Sequence, residues 1–409
     1  MRNQPFDLII FGATSFVGQL LCRYLFDQYG VDGEIKWAAA GRSLPKLETL
    51  KNSLGVNAKT LTLLTADAAD ETALKDLCDQ TRVIISTVGP YALYGEPLVK
   101  VCVDTGTDYC DLTGEVQWVN RMIRRYETKA QQTGARILHC CGFDSIPSDM
   151  GVFHLQQQAF SQFGAPCTSI RMRVKAIRGA ASGGTIASMI NITKEAAKSK
   201  VLRKELANPY SICPENHRFT ARQANVTTPE YAQQSGQWAG PFIMAGINTR
   251  VVHRSNALSN TAYGTNFKYD ESMLMGKGTK GRVIASGFGL GLGLFLIGAA
   301  IRPTRWLMEN YMLPKPGEGP SPSAQEKGFY DIRFFGETDK GETIQTKVTG
   351  DRDPGYGSTS KILAQAGISL AQDISKEEKG GGFWTTATVF DQRFINRLEQ
   401  KAGLTFSIV

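Results

Sequence analysis

The sequence predicts an α/β protein, with a Rossmann-type doubly wound parallel sheet over residues 1–150 and a second, α+β domain with antiparallel strands over 151–409. Three observations carry this. Short apolar runs alternate with segments of helical period through the first third, as in βαβ units. Clusters of glycine, hydroxyl and acidic residues fall just after those runs, where open α/β sheets bind ligands. Beyond Met150 the pattern turns to two-residue alternation, as half-buried strands require. A chain of 409 residues, 42% of them hydrophobic, can bury the cores of two such domains.

The first run, Asp7 to Phe11 (DLIIF), reads as a fully buried strand ending at Gly12. A helix is expected from about Phe16 to Gln28, because Val17, Leu20, Leu21, Tyr24 and Leu25 recur on one face. GATSFVG, Gly12 to Gly18, therefore joins a strand to a helix, the context a dinucleotide-binding turn needs. Gly12 permits the tight turn. Thr14 and Ser15 offer hydroxyl and N–H groups to phosphate at the helix N-terminus, and Gly18 lets the helix lie close to the sheet. With Phe16 and Val17 these residues form the expected cofactor loop. The pattern is G-x-x-S-x-x-G, with Ser15 at a position often held by glycine. An ordinary strand-to-helix turn reads the same way, so the next strands decide.

The second strand, Ile35 to Ala40, leads into Gly41, Arg42 and Ser43. An enzyme using NAD places an acid here for the ribose 2′-hydroxyl. Arg42, followed by Ser43 and Lys46, suits a 2′-phosphate instead, which a guanidinium grips in bidentate fashion. The expected cofactor is NADP(H), the alternative for Arg42 being a solvated loop charge. A third strand, Leu61 to Leu64, ends near Asp67, a position for adenine contacts. A fourth, Val83 to Val88, ends in Gly89, Pro90 and Tyr91, where the backbone of Gly89 and Pro90 lets the cofactor's ribose approach. Two more runs follow, Tyr109 to Leu112 and Arg136 to Cys141.

In the second half Ser169 to Lys175 alternates, and Tyr330 to Glu337 and Glu342 to Val348 flank a hairpin turn, TDKG. Tyr356 to Gln372 reads as a helix, Ser199 to Gln237 as loop or lid, and Pro314 to Gln325 as a connector. Val283 to Ile301 is uncharged for 19 residues. As a helix it is about 28 Å long, near a bilayer's hydrocarbon thickness. Lys277, Lys280 and Arg282 precede it, and Arg302, Arg305, Trp306 and Tyr311 follow. Such flanks favour a membrane interface. Five glycines weaken a spanning helix, leaving a re-entrant or interfacial segment, a buried helix or the wall of an apolar tunnel.

The net charge of +8 is spread without a basic block, which excludes a nucleic-acid arm and suits anionic lipid or phosphorylated ligands. Eight cysteines without a C-x-x-C pair and four scattered histidines argue against a metal site. The N-terminus runs almost directly into a strand, so no secretory signal is expected, and the free thiols fit a reducing cytoplasm.

GPYALYGEPLVKVCVDTGTDYCDLTGE (Gly89 to Glu115) resembles the saccharopine dehydrogenase family. GFDSIPSDMG (Gly142 to Gly151) is closer to one branch, the saccharopine dehydrogenase-like oxidoreductases and bacterial trans-acting enoyl reductases. The resemblance continues through SGGTIAS (Ser182 to Ser188), PFIMAGINTRVVHRSNAL (Pro241 to Leu258), FKYDE (Phe267 to Glu271) and the C-terminal GGFWTTATVFDQRFINRLEQKAGLTFSI. Thr385-Thr386-Ala387 departs from the Thr-Pro-Ala common in the family. The branch implies an NADP-dependent reductase, in some members saturating double bonds of acyl chains destined for complex lipids.

GPY, LTGE and GFDSIPSD are the clusters expected to serve hydride transfer. Tyr91 would donate a proton or stabilise an enolate oxygen, with Asp144 as the second catalytic candidate. Against this, Tyr91, Asp111, Glu115, Asp144, Ser145 and Asp149 are types that cap helices and hold turns, and Ser148 and Asp149 suit the cap of the next helix. Three readings stand. One is an NADP(H)-dependent oxidoreductase acting on hydrophobic or lipid-linked acyl substrates, as in enoyl reduction. Another is a saccharopine-type amino-acid oxidoreductase, which must bind substrate carboxylates and would be supported by several arginines in the second-domain crevice, the candidates being Arg171, Arg173, Arg178 and Arg250, which the sequence does not place. The third is a non-enzymatic, membrane-associated NADP-binding protein. The first is preferred, with a cytoplasmic location, peripheral membrane contact through 283–301, no nucleic-acid partner, and a homodimer allowed.

Overall fold

The computed structural model describes residues 4–179, 183–311 and 319–409. Among the described residues are fourteen strands: β1 Phe6–Phe11, β2 Trp37–Gly41, β3 Thr62–Thr65, β4 Thr81–Ser86, β5 Asp108–Asp111, β6 Arg136–Leu138, β7 Ser169–Arg178, β8 Glu230–Ala232, β9 Gln237–Pro241, β10 Lys268–Gly276, β11 Phe329–Glu337, β12 Thr343–Gly350, β13 Gly382–Trp384 and β14 Leu404–Ile408. The chain forms two compact units, and the expected α/β class holds: one sheet is wholly parallel, the other mixed.

The first unit gathers the chain up to Phe143 together with Gly355–Ala402. Its parallel sheet runs β13-β6-β5-β4-β1-β2-β3. Leu8, Ile9 and Ile10 of β1 and Val83, Ile84 and Ile85 of β4 are fully buried, which is why these strands read as unbroken apolar runs. The reversal of strand order between β1 and β4 follows a doubly wound plan.

Two consecutive domains, 1–150 and 151–409, did not include the chain's return. The helix Thr359–Gln372 packs on β4, β1 and β5, and β13 pairs with β6 at the sheet's edge. Gly367 meets the Ile85 side chain so closely that a Cβ would lie 2.4 Å from it. The buried Arg136 guanidinium pairs with Asp108 and donates to the carbonyls of Leu370 and Ile374, each at 2.7 Å. It thereby fastens the returning segment to the edge of the sheet.

The second unit gathers the chain from Asp144 with Ser321–Pro354 and Gly403–Val409. Its sheet runs β14-β12-β11-β7-β10-β9-β8, parallel only between β7 and β10. The expected hairpin is present: Thr338 N–H donates to the Glu342 carbonyl at 2.9 Å, and Gly341 takes a φ of +80°. The helix Ile146–Phe163 covers this sheet, with Gly151 set directly against the Phe334 ring. The loop expected over Ser199 to Gln237 contains the helix Lys200–Ala207 and β8, with no regular element between them. Residues 314–318 of the expected connector lie outside the described residues, as does Ser182 of SGGTIAS. The apolar run lies in a longer helix, Gly278–Ala300, followed by Arg302–Tyr311.

Candidate active site

Because the first sheet is parallel, the loops after β1, β2, β3, β4 and β5 leave it at one edge. Gly12 follows β1 at a φ of +87°, and an added Cβ would lie 2.7 Å from the Thr87 hydroxyl and the Val88 side chain. A larger residue is therefore excluded by both conformation and space. At Gly18 a Cβ would fall 2.2 Å from the Gly12 carbonyl. Gly18 thus secures the turn itself, rather than the approach of the helix to the sheet.

Ser15 is the N-cap of the helix Phe16–Tyr29 and accepts from Gly18 N–H at 2.9 Å. Its hydroxyl also lies 2.9 Å from that of Thr87, which donates to the Gly12 carbonyl at 2.9 Å. The Ser15 side chain is accordingly engaged in holding the loop, and this explains a serine where a glycine is common. The first-turn N–H groups of Phe16 and Val17 lack an intrahelical partner by helix geometry and are the phosphate donors this turn presents. Thr14 is partly exposed beside them. The Phe16 ring packs edge-on against Tyr356, with centroids 4.8 Å apart.

After β2, Arg42 is exposed and has no carboxylate partner among the described residues. Ser43 is the N-cap of the helix Leu44–Leu54 but makes no capping bond with its hydroxyl. No acid stands between Gly41 and Leu47. A free guanidinium, a free hydroxyl and a helix N-terminus together suit a dianionic 2′-phosphate. After β3 the exposed Asp67 carboxylate accepts from Ala69 N–H at 2.9 Å, closing a turn at the expected adenine position. Both the turn at Gly12 and the group at Arg42 fit NADP(H).

After β4, Gly89 and Pro90 precede a buried Tyr91. The Tyr91 hydroxyl donates to the Ser86 carbonyl at 2.9 Å and accepts from Leu112 N–H at 3.4 Å, while its ring lies 5.3 Å from Trp118. Burial, reinforced by the Asp111 carboxylate, pushes its pKa well above the ordinary tyrosine value. The proton-donor expectation for Tyr91 is corrected here: the hydroxyl is built into the unit's interior and braces the β4 and β5 loops. Glu115 accepts from the N–H groups of Tyr91 at 2.7 Å and Ala92 at 3.0 Å, capping the short helix Tyr91–Tyr94. Asp111 accepts from Thr113 N–H at 3.0 Å and Cys140 N–H at 3.1 Å, and lies 2.6 Å from His139 Nδ1. These acids shape loops, as their residue types also allowed.

In the second unit GFDSIPSD opens the helix Ile146–Phe163. Ser145 donates to Asn248 Oδ1 at 3.0 Å, and Asn248 donates to Ser148 Oγ at 3.1 Å and to Glu271 at 2.9 Å. Tyr269 donates to the other Glu271 oxygen at 2.8 Å, and Ser255 donates to Asp149 at 2.6 Å. Burial pushes Glu271 up to about 7, the hydrogen bonds from Tyr269, Asn248 and Ser148 opposing the shift. Asn248, Ser255, Tyr269 and Glu271 lie inside the motifs PFIMAGINTRVVHRSNAL and FKYDE, and the sequence reading gives them no individual role. A signal existed: Asn248 and Ser255 are seven apart on one helix and Tyr269 and Glu271 two apart on one strand, so each pair shares a face.

Asp144 stands apart from this network. It is half-buried, and its carboxyl has no hydrogen-bond partner among the described residues. Burial pushes it up to about 7, so both protonation states are populated near neutrality. Of the expected second-domain cations, Arg173 is paired with buried Asp270, and Arg250 donates to the carbonyls of Gly246 and Leu206. Arg171 is half-buried and Arg178 exposed. The described residues hold no cluster of acids, histidines and cysteines suited to a metal.

The model of the saccharopine dehydrogenase NADP binding domain matches residues 8–138. A Mycobacterium tuberculosis protein is 38% identical over 407 residues, covering 97% of this chain and 96% of its own. A trans-acting enoyl reductase of Mycobacterium bovis is 35% identical over 410 residues, with the same coverages. One of Mycobacterium ulcerans is 33% identical over 416 residues, again with 97% and 96% covered. Among solved structures, apo saccharopine dehydrogenase (L-Glu forming) from Saccharomyces cerevisiae shares the fold, with a TM-score of 0.56 at 12% identity, covering 99% of this chain and 100% of that one.

Proposed function

The chain belongs to the trans-acting enoyl reductase family, and from that membership we propose that it is an NADP(H)-dependent oxidoreductase that reduces enoyl substrates. The observation that carries the reading is the match to enoyl reductases along nearly the whole chain, through both units, and not through the nucleotide domain alone. When bound, the cofactor would supply the hydride that the β-carbon of an enoyl thioester accepts. The protein's part is to hold the pyrophosphate at Gly12 to Gly18, the 2′-phosphate at Arg42 and Ser43, and the ribose beside Gly89 and Pro90. It must also deliver a proton to the α-carbon as the enolate collapses.

Asp144 is the group we assign to that proton. Its carboxyl has no hydrogen-bond partner among the described residues, and burial raises its pKa to about 7, the range a general acid needs. Asn248 and Ser145 position the turn on which it stands. The substrate is proposed to be an acyl chain carried on a lipid or lipid-like arm, met at the cytoplasmic face of a membrane through residues 283–301. The amino-acid alternative is the weaker one, because the relatives that match through both units are named enoyl reductases, and of the four expected arginines Arg173 and Arg250 are already engaged.

The experiment is NADPH oxidation with a panel of 2-enoyl thioesters of increasing chain length, and in reverse with saccharopine and NADP⁺. Turnover is expected with enoyl thioesters, rising with chain length. Turnover with saccharopine and none with any enoyl thioester would overturn the reading.

A further inference from the structure

The helix Gly278–Ala300 has two unlike faces. One is committed to the second unit: Gly281, Ala285 and Ala299 are buried, a Gly240 Cβ would lie 3.6 Å from Ala285, and one at Gly289 would lie 3.4 Å from the Thr227 carbonyl. The other is an apolar stripe in water. Val283, Leu290, Leu294, Ile297 and Ile301 recur at helical spacing and are 50–69% exposed. A patch of this kind marks a binding surface.

The chain does not carry this helix onward. Thr304 Oγ donates to the Gly298 carbonyl at 2.6 Å and Arg305 to the Ala299 carbonyl at 3.2 Å, so the terminal carbonyls are met by the next helix. Met308 of that helix packs back on Gly298. A helix that rests one face on the second unit and ends in a turn back onto itself is placed to lie along a bilayer surface.

The charge around the stripe names the surface. From Ser272 to Met308 the sequence holds Lys277, Lys280, Arg282, Arg302 and Arg305 and no acid. Lys277, Lys280 and Arg302 are exposed at the two ends of the stripe, and exposed Trp306 lies just beyond it. An exposed apolar stripe, exposed cations beside it and an exposed indole are the groups that acyl chains, anionic headgroups and the membrane interface receive.

We propose that Gly278–Ala300 lies in the plane of an anionic bilayer as a one-leaflet insertion, with Val283, Leu290, Leu294, Ile297 and Ile301 among the acyl chains and the flanking cations on headgroup phosphates. This deepens the proposed membrane contact and rests on it, while needing no assumption about the reaction. The test is flotation of the whole protein with vesicles of phosphatidylcholine alone and with phosphatidylglycerol added. Binding to the anionic vesicles is expected to be at least tenfold tighter and, once formed, to resist high salt. Leu290→Asp with Leu294→Asp abolishes it. Lys277→Glu with Lys280→Glu and Arg302→Glu removes the preference for anionic lipid. All of these positions are exposed, and cooperative thermal unfolding followed by circular dichroism reports that each variant is folded.

The part of the tryptophan emission that Trp306→Phe removes should be quenched by lipids brominated near the headgroup and not at the bilayer centre. Equal flotation on neutral vesicles overturns the anionic surface and leaves membrane contact standing. Quenching at the bilayer centre overturns the in-plane placement. No flotation, with self-association lost in the Leu290→Asp variant, assigns the stripe to a second copy of the chain and overturns both readings.

Discussion

Two regions use glycine in opposite ways, the turn after β1 and the helix Gly278–Ala300. In the turn the space is filled: a Cβ at Gly12 meets Thr87 and Val88 at 2.7 Å, and one at Gly18 meets the Gly12 carbonyl at 2.2 Å. In the helix, a Cβ at Gly287, Gly291 or Gly293 meets nothing within 4 Å. The first glycines are required by geometry. Gly287, Gly291 and Gly293 are required by no neighbour within the second unit, unlike Gly281 of the same helix, where a Cβ would lie 2.1 Å from the Gly276 carbonyl. The same residue type therefore marks a site for a ligand that approaches backbone in one place, and a surface without a protein neighbour in the other.

The largest expected effect separates both regions from the chemistry. Asp144→Asn should lower kcat by about 100- to 10,000-fold, the range of a lost general acid, while NADPH affinity and vesicle flotation stay unchanged. The carboxyl must be protonated to donate and is half ionised at about 7. The rate should therefore fall above that pH, about tenfold per unit, and this limb should vanish in the variant. A parallel loss of NADPH binding would mean that Asp144 holds the cofactor loop instead.

Gly12→Val comes next. It should weaken NADPH binding by about 100-fold or more, because the side chain has neither the conformation nor the space. Calorimetry checks this; normal affinity in a folded variant would erase the contrast between the two regions. Arg42→Ala should cost about tenfold in NADPH affinity and leave NADH nearly untouched, since one charge-assisted contact to the 2′-phosphate is lost. Competition binding of the two cofactors checks it. The smallest effect belongs to the helix: Gly291→Ala should stabilise the second unit by about 0.5–1 kcal/mol, with no change in cofactor binding. A destabilised variant in thermal unfolding would reveal a neighbour that the open space does not suggest.

How much was legible in the sequence follows the range of the interactions involved. β1, β2 and β4 announce themselves because burial on both faces makes their apolar runs continuous, and Gly12 is legible because a strand precedes it and a helix follows. Tyr91 was misread because its fate depends on the Ser86 carbonyl, the Leu112 N–H and the Trp118 ring, contacts set by how two loops fold together. β13 has three residues, too few for a period, and joins the first sheet only because β6 offers an edge and Arg136 binds the segment before it. The apolar helix was placed at Val283 by its charges, yet it begins five residues earlier. Exposed Lys280 costs it little there, and the Arg282 guanidinium stacks on Trp238 at 5.2 Å. The departure at Thr386 proves mild: Thr385 is the N-cap of a short helix with a reciprocal cap to Thr388, and Thr386 takes the first helical position, where proline is also well tolerated.

The central claim is that NADPH held at Gly12 to Gly18 reduces an enoyl thioester on this chain. Deuterium in the transferable position of NADPH tests it directly, with the product read by mass spectrometry. The account predicts one deuterium at the β-carbon and one solvent hydrogen at the α-carbon of the saturated thioester, with the yield lost in Gly12→Val. A protein that binds NADPH tightly and leaves every enoyl thioester unlabelled and unsaturated would contradict it.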